Sequence, residues 1–203
     1  MEQDMQDPIP GHENPAHETK RATVLRRNLL LTALAGGGMA AALPGAEARA
    51  EDYVSLAPQI PMAPPRTEFI YEAICDLSPT LALGNSPLGE RRMVPITGGE
   101  FRGPRLRGKV LPGGADRQLV RRDGVRQLNA LYELQTEDGA VITVNNHVTV
   151  DNPPGGPRYA FSVLDITAPE GPHGWLNKGV YVGTLDSLRP ARTAVLIRVF
   201  RLA

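Results

Sequence analysis

The stretch "LNALYELQTEDGAVITVNNHV", Leu128 to Val148, decides how the chain folds. Two strand-like runs flank the dipeptide Asp138-Gly139, which tolerates the positive φ angles of a tight turn and therefore predicts a β-hairpin. With a two-residue turn, Glu137 opposes Ala140 and the register follows. One face then carries Ala130, Tyr132, Leu134, Thr143, Asn145 and His147, and the other carries Leu131, Glu133, Gln135, Ile142, Val144 and Asn146. Neither face is purely apolar, which favours a barrel whose lumen holds a few polar groups.

The rest of the chain continues this pattern of short strands separated by turns. Its 21 glycines, 19 prolines and 41% hydrophobic residues favour many turns around a sizeable core. We therefore predict an all-β fold, which the mixed faces of the hairpin favour as a barrel. The expected organisation is a signal peptide at 1–50, a Pro-rich linker at 51–66 and one β-barrel domain at 67–203.

The first fifty residues have the features of an export signal. Arg26 and Arg27 precede a modestly apolar run from Leu29 to Leu43, and Ala48 and Ala50 form a small-x-small cleavage signal. This order predicts a twin-arginine signal peptide, the twin-arginine export machinery as a partner, and a periplasmic or secreted protein. Ordinary secretion and an uncleaved anchor remain alternatives.

Charge is balanced overall but uneven along the chain. The formal net charge is zero, which does not suggest a nucleic-acid partner. The segment from Arg91 to Arg126 nevertheless contains ten basic residues and three acids. Two interpretations stay open, a solvated outer face or attraction of an anionic ligand, for which Arg107 is a candidate binding residue.

The standard cofactor and metal motifs are absent from the sequence. It has no GxGxxG, GxxxxGK(S/T), GxSxG, HExxH or paired CxxC, so we expect no cofactor and no metal. The single cysteine, Cys75, cannot form an internal disulfide and is expected to be a buried, inert thiol.

The candidate functional residues are a scattered polar set. Asp116 follows Gly113 and Gly114, so its carboxylate is either an acid–base group at a barrel mouth or a turn cap. On the proposed hairpin face, Tyr132 and His147 are candidate catalytic groups, with Asn145 as an orienting or ligand-binding residue. Glu133 and Trp175 are further candidates for ligand binding. Each of these side chains also has a purely structural explanation.

The glycine-rich stretch "VPITGGEFRGPRLRGKVLPGGAD", Val94 to Asp116, has no helix start or Lys-Ser/Thr to complete a phosphate site. We interpret its glycines as bending points of the barrel. Gly98 and Gly99 fit a bend between strands, and Gly113 and Gly114 fit the turn that presents Asp116.

These segments resemble a known family. "GERRMVPITGGEFRGPRLRGKVLPGGAD", "LYELQTEDGAVITVNNH", "WLNKGVYVG" and "VLIRVFRL", spanning about Phe69 to Leu202, are similar in order and spacing to the bacterial and fungal domain-of-unknown-function 3237 family. The resemblance implies a single closed antiparallel β-barrel, for which we expect about 8–10 strands, and no established activity. Arg117 and Leu131 stand where the family usually has an aromatic residue and an Arg, which implies a different substrate preference if those positions line the pocket.

Three functions remain open at this stage. The first is an exported barrel that binds a small apolar or aromatic organic molecule in its lumen. The second is a cofactor-independent lyase, isomerase or cyclase with Asp116 as base and Tyr132 or His147 as acid. The third is a structural or oligomeric envelope protein with a packed lumen, and a homo-oligomer is compatible with each of them.

Overall fold

The computed structural model describes residues 55–203, so the predicted signal residues Arg26, Arg27, Ala48 and Ala50 lie outside the described part of the chain. Residues 55–66 contain no strand, and ten strands follow. Within the described residues, no helix has the length and apolar character needed to cross a membrane. The strands are β1 (Thr67–Leu77), β2 (Leu81–Ser86), β3 (Gly89–Arg102), β4 (Arg107–Val110), β5 (Ala115–Arg121), β6 (Arg126–Thr136), β7 (Val141–Asp151), β8 (Tyr159–Thr167), β9 (Tyr181–Ser187) and β10 (Ala194–Leu202).

The sheet closes on itself as an eight-position antiparallel barrel, which confirms the predicted fold class. From β10 the sheet continues through β9, β8 and β7 to β6, while on its other edge β10 pairs with β1. The short strands β4 and β5 occupy one position together, because each pairs with β3 on one side and β6 on the other. Pairing of β1 with β3 completes the ring, and β2 extends the sheet as an extra hairpin strand.

Strand β3 changes neighbours halfway along its length. Its first half pairs with β2 and β5 and its second half with β1 and β4. Gly99 lies where this change occurs, with a φ of 134°, and a Cβ atom there would lie 1.9 Å from the carbonyl oxygen of Ile74. Only glycine permits this close approach of two backbones. The predicted bend at Gly98 and Gly99 therefore lies inside one strand rather than between two.

The hairpin of β6 and β7 has a different register from the predicted one. The amide of Thr136 donates to Ala140 O at 2.9 Å, and Gln135 opposes Val141, so the loop contains Glu137, Asp138 and Gly139. Gly139 has a φ of 88°, as expected for the left-handed residue of a three-residue loop. The prediction that Glu137 opposes Ala140 is wrong by one residue, and such a shift moves every β7 side chain to the opposite face.

The corrected register separates the side chains cleanly. Inside the barrel lie Ala130, Tyr132, Leu134, Ile142, Val144 and Asn146, all buried. Outside lie Leu131, Glu133, Gln135, Thr143, Asn145 and His147. Asn145 and His147 therefore do not share a face with Tyr132.

One end of the barrel is closed by packed side chains. A 3-10 helix, Gly174–Lys178, lies across this end, and its Leu176 is buried in the main hydrophobic core. Asn177 holds the helix to the end of β8 through hydrogen bonds with both backbone groups of Ala168, at 2.8 and 2.9 Å. The Tyr181 hydroxyl donates to Leu176 O at 2.9 Å. We call this the closed end, and the opposite end, where β6 and β8 begin, the open end.

Candidate functional site

The open end leads into a cavity of about 270 Å³ inside the barrel. Apolar and polar side chains form its walls in nearly equal numbers. The polar and charged lining residues are Thr80, Arg92, Asp116, Gln118, Arg126, Tyr132, Asn146, Arg158, Ser187 and Arg189. A larger depression of about 950 Å³ on the rim shares Arg92, Gln118, Leu128 and Val148 with it. We assign the interior cavity as the site because its wall carries buried polar atoms that have no partner.

Asp116 projects into this cavity from β5. Its neighbour across the sheet on β6 is Ala130, whose small side chain leaves space beside the carboxylate. One carboxylate oxygen accepts a hydrogen bond of 2.6 Å from Gln118, while the other is buried and has no partner at full hydrogen-bond geometry, although the backbone amide of Asn129 interacts with the carboxyl group. Burial raises the pKa of Asp116, although Gln118, the backbone amide of Asn129 and the charge of Arg126 oppose the shift. The group therefore retains a proton to a higher pH than an ordinary aspartate does.

Tyr132 lies deeper in the same cavity and is fully buried. Gly114 is required beside it, because a Cβ atom at that position would lie 2.7 Å from the Cβ of Tyr132. The Tyr132 hydroxyl interacts with the hydroxyl of Tyr71, but it has no partner at full hydrogen-bond geometry. Burial, and after it the neighbouring Tyr71 and Cys75 side chains, raises the pKa of Tyr132 well above its usual value. The phenol thus stays protonated, so it is a hydrogen-bond donor and not a base.

Asn146 is the polar residue that sequence reasoning did not select. It lies on β7 opposite Ala130, in the same row as Asp116, and is fully buried. Neither the oxygen nor the nitrogen of its amide has a hydrogen-bond partner. The sequence carried a signal in the pair Asn145-Asn146, but only the correct hairpin register shows that the second residue faces inward.

Three of the predicted site residues lie on the outer face of the barrel. Glu133 and Asn145 are half-buried there, and His147 is exposed, with its Nε2 atom 3.9 Å from the Asp165 carboxylate. The one-residue register shift explains why Asn145 and His147 lie outside. The expectation that His147 and Tyr132 share a face is therefore wrong.

Two other predicted residues lie at the closed end, away from the cavity. Trp175 packs against the core, and the Arg105 guanidinium lies over its ring at 4.1 Å. Arg107 is exposed and forms an ion pair of 2.9 Å with Glu137. Neither Trp175 nor Arg107 lines the interior cavity.

The two departures from the family pattern also lie outside the lumen. Arg117 and Leu131 are exposed, because each follows or precedes an inward-facing residue on its strand. Neither lines the interior cavity, so neither changes the chemistry of its wall.

Cys75 lines the cavity as a buried thiol. Burial raises its pKa to about 12, so the reactive thiolate is scarcely populated near neutral pH. Among residues 55–203 no three His, Cys, Asp or Glu side chains cluster as metal ligands would. The expectation that the protein uses no metal stays a prediction.

The fold and the site together define a class of protein. It is a small antiparallel β-barrel that is closed at one end and has a cavity with polar groups at the other. The chain belongs to the family described as "Protein of unknown function (DUF3237)", whose profile matches residues 65–202. A UPF0311 protein of Rhodopseudomonas palustris is 39% identical over 80 residues. That match covers 39% of this chain and 52% of the relative, so the chain spans about half the length of the curated relatives it matches first.

A fungal relative and two solved structures extend the comparison. Hydroalkoxylation enzyme phnH of Penicillium herquei is 28% identical over 125 residues, covering 62% of this chain and 77% of that protein. A conserved protein of unknown function from Rhodopseudomonas palustris superposes with a TM-score of 0.64 and 28% identity, covering 70% of this chain and 100% of the other. A beta-barrel like protein from Acinetobacter baumannii superposes with a TM-score of 0.63 and 29% identity. That superposition covers 70% of this chain and 99% of the other.

Proposed function

We propose that the protein binds a small organic molecule in the open-end cavity, through hydrogen bonds to Asp116, Tyr132 and Asn146. The observation that carries this proposal is that each of these side chains has a buried polar atom without a partner. An unsatisfied buried polar group costs about 1–3 kcal/mol, so a fold that keeps three such side chains on one wall is explained if a ligand satisfies them.

The size and walls of the cavity limit the ligand. A volume of about 270 Å³ lies just below the range of roughly 300–1,000 Å³ typical of sites for drug-sized molecules, which favours a small metabolite. Leu128, Val148 and Val150 provide apolar wall on the side of the second hydrophobic cluster. The ligand we propose has an apolar or aromatic body and polar substituents that reach the inner wall.

Thermal shift measurements with a panel of phenols, ketones and aryl carboxylates test binding. The wild type is compared with Asn146→Leu, which removes both amide atoms at the inner wall, and with Asn145→Leu, the matched substitution on the outer face. We expect ligand-dependent stabilisation of the wild type and of Asn145→Leu, and its loss in Asn146→Leu. Equal stabilisation of all three proteins, or of none of them, would contradict the proposal.

A second candidate function is cofactor-independent proton-transfer catalysis in the same cavity. The observation that favours it is that a carboxyl, Asp116, and a phenol, Tyr132, line the same cavity, where burial raises the pKa of both groups, and the similarity to a hydroalkoxylation enzyme supports it. Hydroalkoxylation adds an O–H bond across a C=C bond. The protonated Asp116 would deliver its proton to one alkene carbon, the substrate hydroxyl oxygen would bond to the other, and the hydroxyl proton would return to Asp116. Tyr132 would orient the substrate oxygen.

An alkenyl phenol separates catalysis from binding. With 2-allylphenol as the probe, we expect the wild type to form the isomeric dihydrobenzofuran and Asp116→Asn to bind the probe without converting it. Chromatography of the reaction mixture measures the product. Binding without conversion by the wild type would leave the binding function and exclude this catalytic one. The open cavity and the unpartnered Tyr132 hydroxyl do not support a packed structural barrel.

We also propose that the barrel acts outside the cytoplasm after twin-arginine export. The support is sequence alone, the Arg26-Arg27 pair followed by a weak apolar run and the Ala48-Arg49-Ala50 signal. A barrel without disulfides is compatible with export in the folded state, since all of its strand pairing can be completed before transport.

A further inference from the structure

Four arginines surround the open end of the cavity. Arg92 comes from β3, Arg126 begins β6, Arg158 precedes β8 and Arg189 follows β9. They are far apart in sequence, and the antiparallel topology brings these strand ends to one rim. Arg158 and Arg189 are exposed and Arg92 and Arg126 are half-buried, so the charged rim lies between solvent and the cavity wall.

Two of these four charges are already paired. Arg92 forms two hydrogen bonds of 2.7 Å with the Glu90 carboxylate. Arg158 donates to Leu185 O at 2.7 Å and lies 3.7 Å from the Asp186 carboxylate. Arg126 and Arg189 have no carboxylate within ion-pair distance among the described residues.

The cavity offers little negative charge to balance the rim. Asp116 is the only acidic side chain that lines it, against four arginines. The charge of Arg126 lowers the pKa of Asp116, but the two side chains are too far apart to form an ion pair. The side-chain hydrogen bond to the Asp116 carboxylate comes from Gln118 instead. The cavity is therefore electropositive at its mouth, and apolar with unpartnered polar groups farther in.

We propose that the ligand is an organic anion, a carboxylate on an aryl or alkyl body, whose carboxylate pairs with Arg126 and Arg189 at the rim. This inference rests on the proposed binding function and names its ligand class. The guanidinium fork matches a carboxylate in a bidentate manner, and burial of the apolar body in the cavity would exclude water from the pair. The far end of the ligand then reaches Tyr132 and Asn146.

The orientation follows from the order of the groups along the barrel. The carboxylate stays at the solvent side, where its desolvation is least costly, and the apolar body lies against Leu128 and Val148. A phenol or carbonyl at the inner end would receive the hydrogen bonds of the deeper residues. The electropositive mouth would also attract such an anion from solution and make binding salt-dependent.

The test compares matched pairs of probes that differ only in charge. Isothermal titration measures binding of trans-cinnamate, 4-hydroxycinnamate and benzoate against the corresponding primary amides, with acetate as a carboxylate that lacks the apolar body. Three proteins are compared: the wild type, a double variant that combines Arg126→Gln and Arg189→Gln, and the control variant Arg122→Gln. Arg122 is an exposed arginine of the β5–β6 turn that does not line the cavity.

We expect the wild type and Arg122→Gln to bind at least one aryl carboxylate about tenfold or more tightly than its amide, and acetate far more weakly. The double variant should lose this preference while still binding the amide. Equal binding of acid and amide by the wild type, or a preference that persists in the double variant, would overturn the anion inference and leave the binding function intact. Absence of binding by every probe of either class would instead refute the binding function and the inference with it.

Discussion

Replacing Tyr132 by Phe should make the folded protein more stable. The ring remains and keeps its packing, while a fully buried hydroxyl group is removed that has no partner at full hydrogen-bond geometry and interacts only with the Tyr71 hydroxyl. An unsatisfied buried polar group costs about 1–3 kcal/mol, so we expect the free energy of unfolding to rise by about 1–2 kcal/mol. For a domain of about 150 residues, each kcal/mol corresponds to roughly 2–4 °C, so Tm should rise by about 2–8 °C.

Equilibrium urea denaturation and calorimetry of the ligand-free protein at pH 7 measure this change. Two other buried tyrosines provide matched controls. Tyr71→Phe removes the hydroxyl that interacts with that of Tyr132 without reaching hydrogen-bond geometry, from a residue that does not line the cavity, and should also stabilise. Tyr181→Phe removes a hydroxyl that donates to Leu176 O at 2.9 Å, and should destabilise by about 0.5–1.5 kcal/mol.

The two stabilising variants should differ in ligand binding. Tyr132→Phe removes a donor from the cavity wall and should weaken the ligand-induced shift in Tm, whereas Tyr71→Phe should leave it unchanged. The reasoning is refuted if Tyr132→Phe destabilises the ligand-free protein as Tyr181→Phe does. That result would mean that the Tyr132 hydroxyl already has a partner in the folded state.

Three further predictions address packing, ionisation and export. Gly114→Ala should lower the free energy of unfolding by about 1–3 kcal/mol in urea denaturation, since its Cβ would lie 2.7 Å from Tyr132 Cβ. Folding raises the pKa of Asp116, so the folded state binds the carboxyl proton more tightly than the unfolded state does. Urea denaturation at a series of pH values should therefore show the free energy of unfolding falling as pH rises through the folded-state pKa. Asp116→Asn should abolish this contribution to the pH dependence. Lysines at Arg26 and Arg27 should retain uncleaved precursor in the cytoplasm, visible by fractionation and immunoblotting.

Each of these predictions has a contradicting outcome. Unchanged stability of Gly114→Ala would show that β5 and β6 are not packed as closely as described. For ionisation, Asp76 is the opposite case, because two hydrogen bonds from Arg192, at 2.7 and 2.8 Å, lower its pKa. Stability from Asp76 is present above its unfolded pKa and is lost as pH falls through the lowered folded value. If the contribution of Asp116 to stability were also lost as pH falls, as that of Asp76 is, the raised pKa assigned to Asp116 would be contradicted. Unchanged export of the lysine variant would indicate the general secretory route.

Sequence by itself determined the fold class of this protein. Short strand-like runs, the Asp138-Gly139 turn and the glycine-rich stretch are local features, and each acts through the backbone of a few neighbouring residues. They were therefore sufficient to predict an all-β fold that favours a barrel, and the resemblance to a known family implied that the barrel is closed. Asp116 and Tyr132, both singled out from the sequence, line the lumen, and their catalytic role stays a prediction.

Only the tertiary structure decided which side chains face inward. A loop of three residues instead of two moved Asn145 and His147 to the outside and brought Asn146 into the lumen. The sequence contains both registers as local alternatives, because the alternation has a period of two and neither choice leaves a purely apolar face. Barrel closure selects between them, since it buries one face completely and leaves the other in water.

Closure also assembled the rim of the cavity. Arg92, Arg126, Arg158 and Arg189 have no common spacing in the sequence, whereas Arg107, from the same basic segment as two of them, lies at the opposite end. Their convergence depends on which strand ends meet in space, and that is set by long-range pairing such as β1 with β10. A local pattern carries no information about such pairing, so the electropositive mouth is a property of the folded barrel alone.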